Sequence, residues 1–121
     1  MRLVSFMFLG GLLGAAASNS ASAQAPDPEF DAAAGQYIAC MVMTVRMGMT
    51  VKMDPGTFKT GFDKACKPQE ALFRAAAIKQ AMASGRTEAE AEAEIEGNIV
   101  RGKAAWAADQ ETYIRTGKVP R

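Results

Sequence analysis

Histidine is absent from all 121 residues. Its absence removes the side chain most used as a general base near neutral pH, and the commonest transition-metal ligand. No Ser-His or Cys-His pair can form, and no Cys-x-x-Cys-His can attach haem. Cysteine is almost as scarce. Cys40 and Cys66 are the only two, too few for a tetrahedral zinc site. Aromatic residues make up 7% and tryptophan occurs once, with no basic stripe interleaved with aromatics. Nor is there an excess of positive charge: Lys and Arg number 14, Asp and Glu 13. Setting residues 1–23 aside removes only Arg2 and leaves 13 of each sign. Nucleic-acid and anionic-membrane binders need a basic surplus. The nucleophile patterns Ser-x-x-Lys and Gly-x-Ser-x-Gly do not occur. These absences predict no catalysis, no cofactor and no nucleic-acid partner.

The first residues have a clear pattern. Met1-Arg2 supplies a positive start, Leu3 to Ala17 an apolar run, and Ala21-Ser22-Ala23 a small-x-small site. We read residues 1–23 as a secretory signal peptide, with Gln24 opening a single helical domain over 24–121. The run is shorter than the roughly twenty residues that span a bilayer. The expectation is a periplasmic or secreted protein with no stable membrane insertion after cleavage. In an oxidising compartment the two cysteines pair. A Cys40–Cys66 disulfide closes a loop of about 27 residues and contributes roughly 3–4 kcal/mol in the chain-entropy model. A small exported domain has few other means of stabilisation on that scale.

The spacing of apolar residues predicts an all-α fold, a small bundle of about four helices stapled by that one disulfide. Asp27-Pro28 and Asp54-Pro55 are N-cap and first-turn pairs. Ile38, Met41, Val42, Val45 and Met49 share a helical face. Gly48 suits the end of this first helix, followed by an extended or loosely turned link to Met53. Phe58, Phe62 and Cys66 line a short second helix. Pro68 opens a third, with Leu72, Phe73, Ala76, Ala77 and Met82 on its apolar side. Thr87-Glu-Ala-Glu90 is a capping box. It starts a long helix whose stripe includes Ala91, Ile95, Ile99, Trp106 and Tyr113. Gly102 inside that helix suggests a close helix crossing. The predicted helices are 28–47, 55–66, 68–84 and 87–116. Glu88, Glu90, Glu92, Glu94 and Glu96 read as a solvated first half suited to the helix dipole.

Five of the eight methionines fall between Met41 and Met53. Near-strict alternation there also fits a short strand, but no partner strand exists to satisfy its ladder. Thioether sulfur suits Cu(I). In an extended segment Met47, Met49 and Met53 would share a face, making a Cu(I)- or Ag(I)-binding protein the alternative reading. The main reading is an exported, non-enzymatic binding or interaction module whose partner is a protein, the methionines serving as packing or as an adaptable groove. A chaperone-like periplasmic protein is a further form of the same idea.

Overall fold

The computed structural model describes residues 27–120. The segment read as a signal peptide lies outside them. Four helices follow one another: α1 (Pro28–Thr50), α2 (Pro55–Lys64), α3 (Lys67–Ala83) and α4 (Glu88–Thr116). Among the described residues there is no strand. The architecture is an all-α bundle with Cys40 and Cys66 at disulfide distance. α1 packs mainly on α3, and α4 runs against α3, α2 and α1. No helix among the described residues is long and apolar enough to cross a membrane.

The helix starts follow from side-chain chemistry. A helix leaves its first N–H groups without partners, and a short polar side chain can accept from them. Asp27 accepts from Glu29 N–H at 3.0 Å and Phe30 N–H at 3.2 Å. Asp54 accepts from Thr57 N–H at 3.1 Å. The Thr87–Glu90 capping box is complete in both directions. α3 starts differently: Cys66 stands at its N-cap with φ +62° and no side-chain cap. α2 therefore stops at Lys64, short of the expected residue 66, and Cys66 belongs to the turn.

The end of α1 corrects the sequence expectation. The helix continues past Gly48 to Thr50. Lys52 takes φ +51°, while its N–H donates to Met49 O at 3.1 Å and Met53 N–H donates to Gly48 O at 2.9 Å. These two bonds make the Schellman pattern, with lysine where glycine is usual. Gly48 serves packing instead. It is buried, and a Cβ built on it would lie 2.5 Å from the Phe58 ring. Glycine lets α2 close on α1.

The core has two linked parts. Tyr37, Met41, Val45, Phe58, Phe62 and Cys66 form the larger, with Trp106 half-buried against it. Ala77, Ile95 and Ile99 form the smaller, and Phe73 touches both. The buried row of α1 is Ala33, Tyr37, Met41 and Val45, spaced by four. Ile38, one position off that row, is 54% exposed. Leu72 and Met82, read on the apolar side of α3, are also exposed, as is Val100 on α4. The most buried residue near the end of α4 is polar. Gln110 is fully buried and donates through Nε2 to Met53 O at 2.8 Å, fixing the α1–α2 link to α4.

Candidate functional site

Cys40 lies on α1 and Cys66 at the α2–α3 junction, with Cα atoms 6.0 Å apart. The Thr44 hydroxyl donates to Cys40 O at 2.9 Å and lies 3.7 Å from Cys66 Sγ. Beside this clamp runs an open groove of about 510 Å³. Its walls are Ala39, Cys40, Met43, Thr44 and Met47 on α1, with Gln69 from α3 opposite. No charged side chain lines it. Met43 and Met47 are one helical turn apart and remain 67% and 62% exposed. Two large apolar side chains thus stand exposed side by side in an uncharged groove.

Met47, Met49 and Met53 do not come together. The grouping required an extended segment, and α1 runs through it to Thr50. Met47 faces the groove, whereas Met49 lines a different recess with Val45, Trp106 and Pro120. Met53 lies beyond the helix and packs against the larger core. Successive odd positions on a helix point about 200° apart, so a shared thioether face is lost. Met43 and Met47 are the pair that share one.

The electrostatic centre is Glu70, which is only 6% exposed. Lys103 Nζ lies 2.5 Å from Glu70 Oε2 and donates to the Asp63 carbonyl at 3.3 Å. Arg74 Nη2 donates to Glu70 Oε1 at 3.2 Å and also pairs with Glu96. The Tyr37 hydroxyl donates to Glu70 Oε2 at 3.4 Å. One carboxylate thus ties α1, α3 and α4 together, and through Lys103 it reaches the last turn of α2. Burial pushes the Glu70 carboxyl upward. The hydrogen bond and charge of Lys103, the Arg74 bond and the Lys67 charge outweigh it and hold Glu70 below the ordinary glutamate range. Burial, reinforced by the charge and hydrogen bond of Glu70, pushes the Tyr37 hydroxyl up to about 12.

The sequence reading singles out neither Glu70 nor Lys103 as a candidate site residue. A signal was available. Glu70 shares a helical face with Phe73 and Ala77, and Lys103 lies four residues after Ile99, so each interrupts an apolar stripe. The glutamates of α4 are placed as expected for a solvated half-helix: Glu90 caps, Glu94 pairs with Arg86 and Glu96 with Arg74. Among the described residues no three His, Cys, Asp or Glu side chains cluster to hold a metal ion. Compared with known protein families, curated proteins and solved structures, the chain matches none.

Proposed function

We propose that the chain is a small exported module, without catalysis of its own, that docks an apolar helical segment of a partner protein in the methionine groove. The observation that carries this reading is the pair Met43 and Met47, each more than 60% exposed within an uncharged groove. From Gln36 to Met47 the lining covers eleven steps of α1, about 16 Å at 1.5 Å per residue. That length accepts the apolar face of roughly three turns of a partner helix. Thioether side chains are flexible and polarizable, so they adapt to more than one sequence. The absence of charge in the lining argues against an acidic or basic peptide. Export is supported by the apolar leader with its small-x-small site, and by a cysteine pair suited to an oxidising compartment.

The test is fluorescence anisotropy with a labelled, uncharged amphipathic Leu/Gln helix. The wild-type chain binds it saturably, and the Met43→Glu/Met47→Glu variant loses at least about tenfold in affinity, since each buried methionine contributes on the order of 1.5 kcal/mol or more. Equal binding by the two proteins contradicts the reading.

A further inference from the structure

A second recess lies between α1, α3 and α4, away from the methionine groove, with a volume of about 170 Å³. Its inner walls are Tyr37, Met41, Phe73, Ile99 and Trp106, and Lys103 reaches it from α4. Tyr37 and Phe73 are stacked with ring centroids 5.2 Å apart. A dry apolar cavity of about 150 Å³ accommodates one benzene ring, so the recess has room for a single small ring. Lys103 is its one charged group, and Asn98 stands at its mouth. An ammonium has three N–H donors; Glu70 and the Asp63 carbonyl take two, which leaves one for a ligand.

Gly102 is an independent observation. Glycine inside a helix costs up to about 1 kcal/mol against alanine, and a close helix crossing would explain it. None exists here: a Cβ built on Gly102 would meet nothing within 4 Å. Gly102 instead lies at the exposed mouth of the recess, together with Ile38 and Asn98. Gly102 contributes no side chain to that mouth.

We propose that this recess binds a small aromatic compound carrying one hydrogen-bond acceptor oxygen, its ring held among Tyr37, Phe73 and Trp106 and its oxygen by Lys103. The neighbouring Glu70, Arg74 and Glu96 charges offset one another together with Lys103, so an uncharged ligand fits. An apolar wall with a donor fixed by its ion pair follows the general design of small-ligand sites.

The probes are benzyl alcohol, which carries the acceptor, and toluene, which lacks it. Each is titrated into the ¹⁵N-labelled chain with its disulfide intact. Benzyl alcohol shifts the amides of Ile99, Gly102 and Lys103 and the Trp106 indole saturably, with a dissociation constant on the order of 1 mM. Toluene binds at least about tenfold more weakly, the worth of one hydrogen bond to a charged group. Gly102→Leu fills the mouth and abolishes the shifts in a protein with unchanged circular dichroism. Should that variant fail to fold, Ile38→Trp, at an exposed rim position, closes the same mouth and abolishes them too. Absence of saturable shifts, equal binding of the two probes, or undiminished binding in a folded mouth variant overturns the proposal. The readout residues are not those of the methionine groove, so either site can fail without the other.

Discussion

At Gly48 one absent methyl group decides how α2 meets α1. Alanine there gains up to about 1 kcal/mol of helix propensity. It also places a Cβ 2.5 Å from the Phe58 ring, which is itself buried, and overpacking costs about 1–3 kcal/mol. Gly48→Ala is therefore expected to lower stability in urea unfolding. Gly61→Ala in α2, where a Cβ meets nothing within 4 Å, is expected to raise it by about 0.5–1 kcal/mol. Glu70 is the other decisive residue. Glu70→Ala leaves Lys103 buried without its partner and costs about 3 kcal/mol or more. The pH dependence has a definite sign. The folded-state value of Glu70 lies below that of the unfolded chain, so its contribution is complete above about 4.5 and is lost as pH falls through the lowered value. Tyr37 is raised from 10.0 to about 12, so its contribution is complete below 10.0 and is lost as pH rises toward 12. Urea midpoints against pH show both limbs in the wild type. Glu70→Ala flattens the acid limb, and Tyr37→Phe the alkaline one.

At the scale of elements, the helix starts capped by a side chain were legible in the sequence, as were the ends of α3 and α4, while the ends of α1 and α2 were not. Asp27, Asp54 and Thr87 cap as read because an N-cap depends on one side chain and the next three residues. The end of α1 depends on tertiary packing: Phe58, ten residues away, explains Gly48, and Lys52 takes the left-handed position instead. A non-glycine residue there costs roughly 1 kcal/mol. Lys52→Gly is expected to raise the melting temperature without changing the fold. Exposed Ile38 and Leu72 show the same limit, since periodicity marks an apolar face but not which edge of it a neighbour covers. The partners of Glu70 and Gln110 were illegible for another reason. A buried polar residue is stable only with its partners, and Lys103 and Met53 are far from them in sequence. The Cys40–Cys66 pair joins α1 to the α2–α3 junction across 26 residues. Replacing both by serine is expected to cost roughly 3 kcal/mol, read as a lower urea midpoint that reductant reproduces in the wild type.

At the scale of the whole molecule, four helices, one cysteine pair and one buried carboxylate fix a bundle that leaves Met43 and Met47 of the methionine run outside. Met41 is 4% exposed, whereas Met43 and Met47 exceed 60%. The methionine run, which looks uniform in sequence, is thus divided between core and surface by the path of α1. That division allows a direct test. Methionine methyl groups labelled with ¹³C report each residue separately as an uncharged amphipathic Leu/Gln helix is titrated into the full chain. The account predicts saturable shifts at Met43 and Met47, with Met41, Met49 and Met53 changing little. Shifts spread evenly over all five, or none at saturating peptide, would contradict it.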